Sequence, residues 1–225
     1  MIYGVAIISV LIYSLLIYWL VRSGTKEQLF RLLWCVLMGM GSAGLALGAE
    51  YFWNLSLGDF ISAHRSLVFI ESFVGVGVIE ETAKWCWLVF FIYDWRSFDR
   101  YSHGILYACG IAAGFNILEG SLYAWTDGDV VNVFIRSFTA VPAHFLFAII
   151  MGFLFARYKL ESRRFLGFSI IIPVVLHGLY DFFIFQQYAE LLMGGAILVL
   201  VGCLSLSVWV CRTALRVDRI RLTNQ

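Results

Sequence analysis

Two adjacent acidic residues and a lysine interrupt an apolar stretch that is long enough to cross a membrane. Glu80, Glu81 and Lys84 lie in the run GVIEETAKWCWL at residues 77–88. On insertion scales, a charge near the centre of a bilayer costs roughly 2.5–3.5 kcal/mol. The presence of three charges at the same membrane depth therefore needs an explanation. Catalysis is one, because a positioned carboxylate can activate a water molecule. We take this stretch as the first candidate site.

The spacing of these three residues allows more than one interpretation. Glu80 and Lys84 lie one turn apart on one helix face, whereas Glu81 points about 100° away from Glu80. In one interpretation the buried pair only fixes helix packing. In another, one carboxylate activates water while Lys84 keeps the second one charged or orients it. Ion or proton transport would use the same groups, so the pair alone leaves chemistry, transport and packing open.

Later apolar stretches carry more ionisable residues at a similar predicted depth. Glu119 and Arg136 lie near the outer ends of their spans, where a snorkelling side chain is the alternative interpretation. A single histidine in an apolar helix is usually a hydrogen-bonded packing residue. His144 and His177 are both mid-span, however, and together with the carboxylates they favour a shared site. Asp181 follows His177 by one turn and can fix the tautomer of its ring.

The composition places these residues in a membrane protein. Of the 225 residues, 61% are hydrophobic and only 14% are charged, with a mean hydropathy of +0.85. A soluble domain cannot hide that much apolar surface, so the composition indicates a polytopic helical membrane protein. The net charge of +1 says nothing about nucleic acid, but no basic cluster is long enough to suggest a nucleic-acid partner, and none is expected. The five cysteines have no CxxC spacing and are expected to be buried and unpaired.

Seven apolar stretches of spanning length predict an all-α bundle. We place them at about 2–21, 32–53, 67–93, 103–124, 131–156, 166–186 and 189–211. The first is interpreted as a retained span and not as a removed signal peptide. The third is longer than a bilayer needs, so we expect it to tilt or break near Gly75 and Gly77. A single domain over residues 1–225 is predicted, with a motif-bearing core at about 67–186 and a basic cytoplasmic tail at 212–225.

The distribution of basic residues orients this map. With the N-terminus outside and the C-terminus inside, the outer loops hold only Arg65, and Lys84 and Arg136 fall within spans. The rest of the 16 lysines and arginines then lie on the cytoplasmic side, as the positive-inside rule requires. These residues are Arg22, Lys26, Arg31, Arg96, Arg100, Arg157, Lys159, Arg163, Arg164, Arg212, Arg216, Arg219 and Arg221.

The ionisable residues follow a recognisable order: Glu-Glu-x-x-Lys, Phe-Asn-x-x-Glu, Arg followed by His, and His-x-x-x-Asp. This order resembles the PrsW family of intramembrane proteases, which is distantly related to the type II CAAX prenyl endopeptidases. The resemblance runs from about Phe73 to Phe185 and includes Asp99 and the run GILY at 104–107. It departs from the family pattern at His103, Gly120 and Asp181, where an acidic residue, Asn and Asn are common.

The resemblance implies a catalytic set that consists of Glu80, Glu81, Lys84, Glu119, His144, His177 and Asp181. Two mechanisms stay open at this point. In the first, which we favour, zinc is held by His144, His177 and a glutamate, with Glu119 as the first candidate. In the second there is no metal, and the histidines donate directly to the oxyanion. An ionised aspartate cannot donate to an oxyanion, so orienting His177 is the expected role of Asp181.

By resemblance, the substrate would be a single-span membrane protein that is cut near its extracytoplasmic side, such as an anti-sigma factor. The protein would then be a multi-pass enzyme of a bacterial or archaeal plasma membrane. Its partners would be the lipid bilayer and the substrate. Two alternatives come from other functional classes. One is a proton- or ion-coupled transporter that uses the same buried groups as a relay, and the other is a scaffold without activity.

Overall fold

The described part of the chain is helical. The computed structural model describes residues 10–12, 15, 26–62, 64–126, 129–186 and 190–223, and no strand occurs within them. The all-α architecture is therefore confirmed. The predicted first span, at about 2–21, lies outside the described residues apart from 10–12 and 15, of which Val10 is buried in the main core.

Nine α-helices and three π-helical segments make up most of the described ranges. The α-helices are α1 Lys26–Trp53, α2 Asp59–Ser62, α3 Val68–Ile70, α4 Ile79–Trp87, α5 Tyr101–Thr126, α6 Val130–Phe138, α7 Ala140–Leu160, α8 Phe165–Phe185 and α9 Glu190–Thr223. The π-helical segments are π1 Asn54–Gly58, π2 Glu71–Val78 and π3 Leu88–Ile92. A short 3₁₀ turn spans Arg65–Leu67.

Five helical stretches of the described residues are long and apolar enough to cross a membrane, and two of them join consecutive elements. They are Leu29–Gly58, Tyr101–Thr126, Val130–Leu160, Phe165–Phe185 and Gly194–Thr223. The helical stretch from α3 to π3 has the length of a further span, but its three central charges keep it outside this set. It does not break at its glycines. It widens into π2 instead, a geometry that is frequent beside functional sites.

The predicted fifth span is divided into two helices. Thr139 lies between α6 and α7 with φ −123° and ψ −70°, outside the helical region. Pro142 explains the division, because proline lacks an N–H and its ring clashes with the carbonyl four residues earlier, that of Phe138. Pro142 is tolerated in the first turn of α7, whereas an unbroken helix through Phe138 would place it in the interior.

Helix α7 lies at the centre of the bundle, between α5 and α8, and α1 covers the other side of α5. Small residues permit the closest approach. A side chain at Gly114 of α5 would collide with the carbonyl oxygen of Val36, and one at Gly39 of α1 would collide with that of Ile111. Glycine at these two positions therefore allows α1 and α5 to pack closely.

One end of the bundle brings together loops that the charge pattern predicts to be cytoplasmic. The Tyr101 hydroxyl donates to Glu161 at 2.7 Å, and Arg157 donates to the same carboxylate at 2.9 Å. Burial by itself would raise the pKa of the Glu161 carboxyl, but these two hydrogen bonds help to lower that pKa below its usual value. Lys159 donates to the backbone carbonyl of Tyr93. The loops before α5 and after α7 thus lie side by side, as the predicted map requires, while the side of the membrane they face stays a prediction.

The stretch that we predicted as a basic tail continues α9 without interruption as far as Thr223. Within it, Asp218 is buried and accepts from the backbone N–H groups of Tyr101 at 2.8 Å and Ser102 at 2.9 Å. These are the first N–H groups of α5, which have no partner within their own helix. Asp218 therefore caps a helix that lies more than a hundred residues earlier in the chain.

Removal of this cap is expected to destabilise the bundle. Asp218→Ala leaves two N–H groups without an acceptor, and loss of a capping side chain costs about 0.5–2 kcal/mol. Asp218→Asn keeps one acceptor oxygen and should lose less. Thermal unfolding in detergent measures both variants. Equal melting temperatures for Asp218→Ala and the unmodified protein would show that the cap contributes nothing.

Candidate active site

The glutamate pair is brought to the centre of the bundle by a close contact between π2 and α8. A side chain at Gly77 would lie 3.2 Å from the backbone of both Val174 and Gly178, and one at Gly178 would press into Phe73. The two helices can therefore approach each other only because glycine occupies both positions. The contact places α4, which begins directly after π2, beside the helix that carries His177.

Lys84 is the hub of the buried charges. Its Nζ lies 2.8 Å from Oε1 of Glu81 and 3.2 Å from Oε2 of Glu80, and it also lies 3.0 Å from Nδ1 of His144. The ammonium group is 3.9 Å from the ring centroid of Phe115, which closes its remaining side. All four polar residues of this hub are buried. Lys84 thus joins both glutamates of α4 to a histidine of α7.

His177 lies between two carboxylates. Its Nδ1 is 2.8 Å from Oε1 of Glu81, and its Nε2 is 3.2 Å from Oδ2 of Asp181. The contact with Asp181 that the sequence predicts is therefore present. Phe147 stacks on the ring at 5.2 Å between centroids, so the imidazole is held both in its plane and on one face.

His144 contacts a second charged pair on its other side. Its Nε2 lies 3.1 Å from Oε2 of Glu119, and the other oxygen of Glu119 accepts from Arg136 at 2.5 Å. The guanidinium group of Arg136 lies 3.6 Å from the ring centroid of Tyr123. Glu119 and Arg136 therefore neutralise each other within the protein, and snorkelling is not needed to explain these two charges.

A cavity of about 190 Å³ lies beside these groups. It is large enough for several water molecules, and we call it the central cavity. Its polar lining consists of Glu50, Glu80, Glu119, Tyr123, Asn132, Arg136, Thr139, His144, His177, Tyr180 and Asp181. Residues far apart in the chain therefore converge on one polar space within an apolar bundle, as the sequence predicts.

Glu50 is the cavity residue that the sequence analysis missed. It lies on α1, and its Oε1 is buried without a hydrogen-bond partner among the described residues. The signal in the sequence was a lone acidic residue close to the end of an apolar span, which is a functional indication by itself. It was overlooked because no motif partner stands near it in the chain.

Four of the buried ionisable residues could hold a metal ion. Single ligand atoms of Glu80, Glu81, His144 and His177 all lie within 4.8 Å of one another. Two imidazoles and two carboxylates suit zinc and other borderline divalent metals. Glu119, our first candidate for a carboxylate ligand, is not in this group and pairs with Arg136.

Arg136→Gln is expected to lower activity without unfolding the protein. The substitution removes the charged donor that fixes Glu119, and Glu119 in turn fixes the ring of His144. Loss of a partner that orients a ligand or catalytic histidine typically costs about 10–100-fold. Arg157→Gln, at the other end of the bundle, serves as the control. A cleavage assay in which both variants match the unmodified protein would contradict this role.

Comparison with known proteins gives the family. Residues 27–210 match the PrsW family of intramembrane metalloproteases. The chain belongs to this family. The match covers the helices from α1 nearly to the end of α9 and includes every residue of the charged cluster described above. No solved structure matches the chain.

Curated PrsW proteases from several bacteria are similar to this chain. The protease PrsW of Geobacillus kaustophilus is 38% identical over 120 residues, or 52% of this chain and 53% of that protein. That of Bacillus subtilis is 37% identical over 118 residues, 51% and 54% respectively. That of Halalkalibacterium halodurans is 30% identical over 159 residues, which is 69% of each chain. The aligned stretch spans about half the length of the first two relatives.

Proposed function

We propose that this protein is an intramembrane endopeptidase that hydrolyses a peptide bond of a single-span membrane protein. One observation carries the proposal: Glu80, Glu81, His144 and His177 come from three helices and meet beside a polar cavity. Membership of a family described as metalloproteases supports it. The transporter alternative gains no support from that family.

Glu80 is the better candidate for the base that activates water. It lines the central cavity, whereas Glu81 is not part of the lining. Glu81 instead holds Lys84 and His177 with the same oxygen. We therefore assign Glu80 to accept a proton from a water molecule in the cavity. Glu81 then acts by keeping the lysine and the histidine in position.

A bound divalent metal would polarise the scissile carbonyl and lower the pKa of a water molecule. Glu80, Glu81, His144 and His177 are the residues that would hold it, and zinc suits such donors. Lys84 contacts three of these four residues, so its ammonium group would compete with a metal for their side chains. Metal analysis of the purified protein, with activity measured before and after chelation, tests this part of the proposal.

The remaining charged residues position the histidines. Glu119, held by Arg136, accepts from Nε2 of His144, while Nδ1 of the same ring accepts from Lys84. Asp181 faces Nε2 of His177. Each ring thus has a charged group within 3.2 Å of both of its nitrogen atoms, an arrangement that reduces the reorganisation needed during reaction.

The position of the central cavity supports cleavage on the extracytoplasmic side. The cavity is lined by residues near the ends of α1, α5 and α8 and by the region where α6 meets α7. The basic loops lie at the opposite end of the bundle, which the positive-inside rule places in the cytoplasm. An anti-sigma-factor-type protein of a bacterial plasma membrane fits this geometry as a substrate.

Co-expression with a panel of single-span membrane proteins tests the proposal. Cleavage is expected with the unmodified protein and not with Glu80→Gln or His144→Ala. Glu71→Gln is a matched control, because Glu71 lies on the same helical stretch and accepts from Trp53 but does not line the cavity. Equal cleavage by all four proteins would remove the peptidase proposal.

A further inference from the structure

The hydroxyl group of Tyr180 is buried in the wall of the central cavity without a partner. Tyr180 is only 4% exposed, and its hydroxyl oxygen forms no hydrogen bond with the described residues. The hydroxyl of Thr139 is close enough to interact with that of Tyr180. The proton of Thr139, however, is donated to the carbonyl of Ile135 at 3.0 Å, so the Tyr180 hydroxyl has no hydrogen bond of normal geometry. A buried hydroxyl without a partner costs free energy, so such a group in a folded protein calls for an explanation. Tyr180 lies on α8 within one turn of both His177 and Asp181, and it lines the same cavity.

The two histidines and the lysine beside the cavity already contact other groups. Both ring nitrogens of His177 face carboxylates, and both of His144 face Lys84 or Glu119. Lys84 itself has three polar contacts, one for each of its N–H groups. A histidine could therefore donate to a substrate only by giving up one of these contacts.

Attack of water on a peptide carbonyl creates a negative charge that needs a donor. The carbonyl oxygen becomes an oxyanion, and fixed donors aimed at it supply a large part of the rate enhancement in acyl transfer. Asp181 stands next to Tyr180, but a carboxylate can only accept. Among the buried cavity groups of the described residues, the Tyr180 hydroxyl is the donor that has no other partner.

We propose that Tyr180 is a catalytic residue that donates its hydroxyl hydrogen bond to the oxyanion that forms from the scissile carbonyl oxygen. The inference rests on the proposed peptidase function. Glu80 takes one proton from water, the hydroxide adds to the carbonyl carbon, and the C=O π electrons move to the oxygen that Tyr180 faces. When the C–N bond breaks, these electrons reform the carbonyl and the proton on Glu80 passes to the departing nitrogen. Tyr180 keeps its own proton throughout.

Tyr180→Phe tests this role, because it removes the hydroxyl and leaves the aromatic ring. Loss of one oxyanion donor typically lowers kcat by roughly 10²–10³-fold, and KM should change little because the bond strengthens in the transition state. A peptide analogue with a tetrahedral phosphinate at the scissile position should bind more weakly to the variant by a similar factor. An uncleavable substrate analogue with an ordinary amide should bind equally well to both proteins.

Tyr107→Phe is the control, since Tyr107 is also buried but its hydroxyl pairs with Ser97, away from the cavity. It should retain full activity. The proposal falls if Tyr180→Phe keeps kcat within about threefold of the unmodified protein, a far smaller loss than an oxyanion donor gives. It also falls if the variant loses phosphinate and amide binding equally. If the unmodified protein itself shows no cleavage that depends on Glu80, the peptidase function fails and the role of Tyr180 fails with it.

Discussion

Glu80→Gln is expected to lower the rate of substrate cleavage by at least about 100-fold, with the fold intact. Glutamine has nearly the same shape but cannot accept a proton from water, and positioned general bases contribute roughly 10²–10⁴-fold. Glu80 borders the cavity, and the hydrogen bond that its side chain accepts among the described residues comes from Lys84 at 3.2 Å, so the substitution disturbs little else. Initial rates with a single-span reporter in proteoliposomes measure the effect.

Glu81→Gln provides the contrast to this prediction. Its Oε1 holds both Lys84 and His177 at 2.8 Å, so the neutral amide should lower stability as well as activity. The melting temperature therefore separates the two variants. A Glu80→Gln protein that cleaves at the normal rate, while Glu81→Gln is stable and inactive, would reverse the assignment of the base.

Lys84→Met is expected to destabilise the protein by about 3–5 kcal/mol. Removal of one member of a buried ion pair leaves an uncompensated charge in a medium of low dielectric constant, and such changes cost this much. Here the lysine neutralises the carboxylates of Glu80 and Glu81. Among the described residues, the only other ion-pair partners of these two carboxylates are His144 and His177. Denaturation of the purified protein in mixed micelles measures the free energy of unfolding.

A double-mutant cycle shows whether the loss comes from the charges. In Lys84→Met combined with Glu81→Gln, one of the stranded carboxylates is neutral, so the double variant should be more stable than the sum of the single effects predicts. Strictly additive losses would mean that the lysine stabilises the bundle through packing on Phe115 and not through Glu81.

The members of the site could be predicted from the sequence because burial of charge in an apolar span is expensive. Each of Glu80, Lys84, His144 and His177 stands out on this ground alone, and the separation of His177 and Asp181 by one turn predicts their contact. The order of these residues also resembles that of a known family, and the match over residues 27–210 confirms the resemblance. The sequence thus predicts those members of the candidate site that are marked by local spacing or by the cost of burying a charge.

The pairing between helices could not be predicted in the same way. Arg136 pairs with Glu119, and Lys84 contacts His144, only because of how α4, α5, α6 and α7 pack against one another. Glu119 is not one of the four residues that could hold a metal ion, and Arg136 donates a hydrogen bond to it. Glu50 and Tyr180 gave no local pattern either, since their importance comes from a shared cavity that forms only in the folded bundle.

The most direct test is cleavage of one purified single-span reporter in proteoliposomes made with isotopically labelled water. We expect two fragments from the unmodified protein, with labelled oxygen in the new carboxylate, and no fragments from Glu80→Gln or His177→Ala. Mass spectrometry reads both the position of the cut and the label. The same labelled fragments from all three proteins would contradict the claim that this cluster performs the hydrolysis.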